Sequence, residues 1–220
     1  MASARDDILQ RIRRGLGTGS PQAPARAQEL DAYLRAHPRS AVPEFAGDLV
    51  ARFRARADAQ ACSLERVATL GEVPAAVRRY LDAHHLATTG CMWPALAQLG
   101  WAAAGIDLQA RAANGEDAIG VTGVFCAIAE TGTLMVCSGE QTPSSVSLLP
   151  ETHIAIVPIE RIVAHMEDAW DLARRELGEL PRAVNFISGP SRTADIEQTV
   201  VLGAHGPYRV HIVLVGGGVA

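Results

Sequence analysis

The chain has 220 residues, 48% of them hydrophobic, and a formal net charge of -4. It is long and apolar enough for a sizeable core, and its mild acidity gives no electrostatic footprint for nucleic acid. No apolar run approaches the ~20 residues that cross a bilayer, and the opening Met1-Ala-Ser-Ala-Arg-Asp-Asp7 lacks the hydrophobic core of an export signal. Cys62, Cys91, Cys126 and Cys137 form no CxxC pair, which predicts a cytoplasmic protein with free thiols, no metal site and no iron–sulfur cluster of its own.

Ser3 to Leu16 places Ile8, Leu9, Ile12 and Leu16 at helical spacing, a short amphipathic helix that needs a surface, on this chain or on a partner. From Gly15 to Pro43, Gly, Ser, Pro and Ala take over, and the stretch reads as an extended arm with a helical turn at Gln28 to Arg35. So long a connection is unusual inside a compact domain, so residues 1–43 are expected to be a helix and flexible arm preceding an α/β domain of residues 44–220.

Glu44 to Gln60 repeats Phe45, Leu49 and Phe53 every four residues, a helix whose arginines (Arg52, Arg54, Arg56) are diluted by Asp48 and Asp58 into a solvated face. A strand is expected at Ala61 to Val67, a helix opened by Pro74 at Val73 to Ala83, and a strand at His85 to Thr89, the rhythm of an α/β layer structure. Pro94 to Ala104 reads as a buried helix, with Trp93 and Trp101 in core packing. Ile119 to Ala129 and Thr133 to Cys137 are apolar runs of strands covered on both faces. A three-residue loop, Glu130-Thr131-Gly132, with Gly132 left-handed keeps β-branched Thr131 out of positive φ. That loop sets Cys126 opposite Val136 and Phe125 opposite Cys137, so register predicts no cross-strand disulfide. Ser138 to Ser147 is polar and turn-rich, a loop expected to be mobile.

His153 to Pro158 is a further buried strand, with His153 a satisfied core histidine, and Arg161 to Leu177 is the clearest helix. Val184 to Ile187 ends abruptly at Ser188-Gly189-Pro190. Pro190 suits a first helical turn, Ser191 and Thr193 are cap residues, and Asp195 and Glu197 are acids suited to an early turn. Strand, tight turn and helix start would aim several N–H groups at one spot, which suits an anion; Asp195 and Glu197 merely capping a helix is the plainer reading. Arg209 to Val215 is the closing strand. Neither a P-loop nor a convincing GxGxxG occurs, and His84-His85 lacks two further spaced ligands for a metal.

Four stretches stand together in order: Ala129-Glu-Thr-Gly-Thr133, Pro150-Glu-Thr-His-Ile-Ala-Ile-Val-Pro158, Ile187-Ser-Gly-Pro-Ser-Arg-Thr-Ala-Asp-Ile-Glu197 and Gly203-Ala-His-Gly-Pro207. From about Ile119 to Val215 the chain resembles the LUD domain, specifically the lactate utilization protein C family. The resemblance implies a three-layer α/β/α sandwich of NagB/RpiA/CoA-transferase-like type, with ligand sites at strand ends. It also implies a part in oxidising L-lactate to pyruvate beside iron–sulfur partner subunits, which would carry the redox cofactors; this chain would carry none.

The candidate catalytic residues are Glu130 and His205, an acid or base at a hairpin tip and an imidazole flanked by Gly203 and Gly206. Candidate ligand or anion contacts are Thr131, Gly132, Thr133, Ser188, Gly189, Ser191, Arg192, Thr193, Asp195 and Glu197, Arg192 with the fork that pairs carboxylates. Their plainer roles are a self-bonded turn at Glu130, a salt bridge from Arg192 to Asp195 or Glu197, and a turn fixed by His205. Two further readings stand beside the lactate system. One is a stand-alone CoA-transferase-like or sugar-phosphate isomerase-like enzyme using Glu130, as nucleophile or base, with His205 or Asp195; the other is a structural scaffold.

Overall fold

The computed structural model describes residues 4–17, 23–194 and 200–217. The chain divides into two units, Met1–Val42 and Pro43–Ala220. The first holds helices α1 (Ala4–Gly15) and α2 (Ala23–Ala36), so the arm expected to be extended carries a full helix where one helical turn was predicted.

The second unit opens with α3 (Leu49–Ala59), started by Asp48, whose carboxylate accepts from the Val50 N–H at 2.9 Å. It is built on a six-stranded, wholly parallel sheet of order β1-β12-β7-β4-β2-β3. The strands are β1 (Ser63–Val67), β2 (Thr89–Met92), β3 (Asp107–Ala110), β4 (Ile119–Thr122), β7 (Thr152–Pro158) and β12 (Arg209–Val215). Central strands β4, β7 and β12 are buried along almost their whole length, as near-continuous apolar runs require in a sheet covered on both faces. One face packs on α4 (Val73–Ala83), whose Val73, Ala76, Val77 and Leu81 are fully buried against Ile154, Ile156 and Val213. The other packs on α3 and on a four-stranded sheet, β8-β5-β6-β9, through Phe53, Leu134, Val136, Val157 and Leu214. That smaller sheet comprises β5 (Cys126–Ile128), β6 (Thr133–Cys137), β8 (Ile162–Val163) and β9 (Val184–Ile187), and α5 (Met166–Leu177) backs it through Ala169 and Ala173. A mostly parallel sheet flanked by helices makes the fold class α/β.

Several boundaries differ from expectation for identifiable reasons. β2 lies at Thr89–Met92 rather than His85 to Thr89, because His85 takes a positive φ of 54° and ends α4 in a turn. Pro94 to Ala104 is two 3-10 turns, Pro94–Leu96 and Ala102–Ala104, with Gly100 between them. Residues 161–177 do not form one helix: Ile162 and Val163 pair with Ala127 and Ile128 as β8, and α5 begins only after His165. Within the loop expected to be mobile, Ser144–Ser147 forms a 3-10 turn whose Val146 and Ser147 are fully buried.

The β5–β6 hairpin pairs Cys126 with Met135, one residue away from the predicted register. Ala129 and Glu130 are drawn toward β8, donating to Val163 O at 2.8 Å and Ala164 O at 3.0 Å, so the loop is Ala129 to Gly132. The largest correction concerns the Ser188 turn. It leads into a strand, β10 (Arg192–Ala194), paired antiparallel with β11 (Val200–Leu202), and no helix starts at Ser191. The antiparallel backbone pairing with β11, which no local pattern encodes, takes the place of the helix that the capping residues suggested. Asp195 and Glu197 lie outside the described residues.

Candidate functional site

The hairpin tip is held from two sides. Gly132 has φ +70°, and a Cβ there would stand 2.4 Å from the Ala57 backbone nitrogen, so the tip rests directly on the last turn of α3. On its other side the N–H bonds from Ala129 to Val163 in β8 and from Glu130 to Ala164 just after it fix Glu130. Glu130 Oε2 lies 2.9 Å from His165 Nδ1. His165 is the N-cap of α5, and its own N–H donates to the Asp168 carboxylate at 3.0 Å. With side chains only 25% and 11% exposed, the pair is largely sheltered, and the Glu130 bond sets the ring so that Nε2 points away from it.

Beside this pair runs a chain of hydroxyls. Thr131 Oγ1 and Thr133 Oγ1 are 2.7 Å apart, and Thr133 Oγ1 and Ser188 Oγ are 2.7 Å apart. The β6–β9 register, with Leu134 opposite Ile187, brings Ser188 opposite Thr133. Thr133 is buried, whereas Thr131 and Ser188 are exposed at the two ends of the chain. Gly189 (φ +81°) lies against Gln60, where a Cβ would be 2.2 Å from the carbonyl oxygen. Five sequence candidates, Glu130, Thr131, Gly132, Thr133 and Ser188, thus share one corner with His165.

Ser191, Arg192, Thr193 and His205 form a separate group. Ser191 donates its N–H to Pro207 O at 2.9 Å and accepts from the His205 N–H at 3.4 Å through its hydroxyl, and its carbonyl accepts from Gly203 N–H at 2.9 Å. The helix-start cradle is therefore absent, and the Ser191 N–H is already committed. Arg192 and Thr193 lie in β10, Arg192 and His205 are exposed, and among the described residues no hydrogen bond joins His205 to Glu130. Sequence reasoning missed His165 because residues 161–177 read as one helix, in which a histidine is unremarkable.

Two other histidines are core groups. His153, fully buried, shares a 2.8 Å hydrogen bond between its Nε2 and Thr122 Oγ1. His211 bonds Ser63 Oγ through Nδ1 at 2.9 Å and stacks on Tyr80 with centroids 3.9 Å apart. Burial lowers both to about 4 from 6.5, so both rings are neutral at physiological pH. Burial likewise pushes the Cys62 thiol up to about 11 and those of Cys91 and Cys126 up to about 12, which keeps them protonated and poor nucleophiles. Among the described residues no group of three or more His, Cys, Asp and Glu side chains is placed to hold a metal ion, and no helix is long and apolar enough to cross a membrane.

The fold and parts of the sequence recur in known proteins. A DUF162 family protein from Deinococcus radiodurans superposes with a TM-score of 0.61 at 21% identity, covering 79% of this chain and 100% of that one, a likeness of fold. Lactate utilization protein C of Bacillus subtilis is 42% identical over 100 residues, 44% of this chain and 42% of that protein. Its counterpart in Bacillus licheniformis is 38% identical over 129 residues, 56% of this chain and 53% of that protein. The chain thus spans about half the length of these relatives. Residues 53–215, most of the chain and all six strands of the main sheet, match the LUD domain, and the chain belongs to the LUD domain family.

Proposed function

We propose that this chain is a component of a lactate utilization system, one that binds a small hydroxy- or oxo-carboxylate and docks with iron–sulfur partner subunits that carry the electrons. The observation that carries the reading is the sheltered Glu130–His165 pair beside the Thr131–Thr133–Ser188 hydroxyls. An oriented imidazole offers Nε2 to a ligand hydroxyl or carbonyl, and exposed hydroxyls at the ends of a bonded chain suit a carboxylate. The name of the relatives, lactate utilization protein C, supplies the pathway. Glu130, engaged by His165, acts here as the group that orients the ring rather than as a nucleophile.

The test is calorimetric titration with L-lactate and pyruvate, repeated on His165→Ala and Ser188→Ala, with affinity purification from lactate-grown cells. Binding that weakens about tenfold or more in His165→Ala, with iron–sulfur proteins recovered, supports the proposal. No binding by the intact protein and no iron–sulfur partner in the purification would overturn it.

A further inference from the structure

The main sheet reverses its direction of growth at β2: β3 is added on one side of it and β4 on the other. At such a reversal the loops leaving the carboxyl ends of neighbouring strands part, and a crevice opens between them. A cleft of about 330 Å³ lies there, bounded by Trp93 just after β2, Val124 and Phe125 just after β4, Cys137 at the end of β6, and Leu177 and Glu179 at the end of α5. That volume falls at the small end of the ~300–1,000 Å³ range of ligand sites.

The chemistry of its walls narrows the ligand. Trp93, Val124, Phe125 and Leu177 make an apolar slot, and the Trp93 indole N–H is already given to Pro143 O at 3.2 Å. Ser138 and Thr142 also border the cleft, but both are engaged: Ser138 Oγ accepts from the Ala183 N–H at 2.9 Å, and Thr142 Oγ1 donates to Cys137 O at 2.9 Å. The chain has no lysine, and no arginine borders the cleft among the described residues. Arg161 lies over the Phe125 ring, but its Nε donates to Phe125 O at 2.7 Å and its other nitrogens bind Glu176 at 2.9 Å. Among the described residues the one charged side chain that borders the cleft is the exposed carboxylate of Glu179.

We propose that this cleft is a second binding site, for a small planar organic cation whose apolar body enters between Trp93 and Phe125 while its N–H groups meet Glu179. Its preference is opposite in charge to that of the Glu130–His165 corner, and it stands or falls apart from the carboxylate reading.

Benzamidine is the probe, with benzoate as the anion of matched shape. Cys137 reports occupancy, because it is half-buried while the other three thiols are buried. Benzamidine should bind by calorimetry and slow alkylation of Cys137 by iodoacetamide about tenfold at saturation, and benzoate should do neither. Glu179→Gln should weaken benzamidine about fivefold with an unchanged melting temperature, since among the described residues this exposed side chain makes no hydrogen bond or ion pair. Leu177→Arg, also at an exposed position, should abolish benzamidine binding and admit benzoate. Equal binding of the two probes, an unchanged affinity in Glu179→Gln, binding without protection of Cys137, or no benzamidine binding up to about 10 mM would each overturn the proposal.

Discussion

Gly132→Ala probes how firmly the candidate corner is built. A non-glycine residue at φ +70° costs about 1–2 kcal/mol from Cβ–carbonyl crowding alone. The new Cβ would also lie 2.4 Å from Ala57 N and 2.6 Å from Arg56 C, backbone atoms that move only if α3 or the hairpin moves. Forcing atoms into such a packed contact adds about 1–3 kcal/mol, for a total of about 2–5 kcal/mol. At roughly 2–4 °C per kcal/mol in a chain of this size, the melting temperature should fall by about 4–20 °C. Gly178→Ala is the control: it also has φ +70°, but nothing lies within 4 Å of its added Cβ. It should cost only the conformational share, about 1–2 kcal/mol. Urea denaturation of both variants separates the contributions. Equal losses at the two positions would show that the hairpin tip does not bear on α3, and the rigid placement of Glu130 would lose its basis.

Stability should fall as pH drops from 6.5 toward 4, because His153 and His211 titrate near 4 when folded and near 6.5 when unfolded, so the unfolded chain binds more protons in that window. The loss is about 2 kcal/mol per histidine by pH 5, and a double His153→Gln, His211→Gln variant with the same pH slope as the parent would refute it. Thr133→Val removes both links of the hydroxyl chain but leaves exposed Thr131 and Ser188 free to turn to water, so it should cost about 1 kcal/mol by urea denaturation while weakening carboxylate binding. Deleting residues 1–20 should shift the melting temperature by less than about 2 °C and weaken self-association or partner capture instead; a larger shift at constant oligomeric state would place α1 in the core.

What the sequence displayed was mostly what local pattern controls. The apolar runs of β4, β7 and β12 announce strands buried on both faces, and Pro74 marks the first turn of α4. Gly132 betrays its left-handed backbone because a β-branched residue precedes it. Where distant partners decide, local pattern failed. Ile162 and Val163 have helix-compatible neighbours but find β5 beside them, and Arg192 to Ala194 find β11. The same cause divides the candidate site. Glu130, Thr131 and Thr133 were visible as a hairpin tip, and Ser188 as the end of a strand. His165, 35 positions from Glu130, becomes a neighbour only because β8 lies parallel to β5.

The place of β12 bears on how the protein is made. Residues 209–215 lie between β1 and β7, so the ribosome delivers this inner strand after both of its neighbours. Until then β1 and the exposed side of β7 offer unpaired N–H and C=O groups to any passing strand. Pairing across nearly 150 residues, as in Ser63 with His211, is slow to form. Nascent chains stalled before residue 209 should therefore be aggregation-prone and dependent on chaperones, whereas release of one further strand lets the whole sheet close.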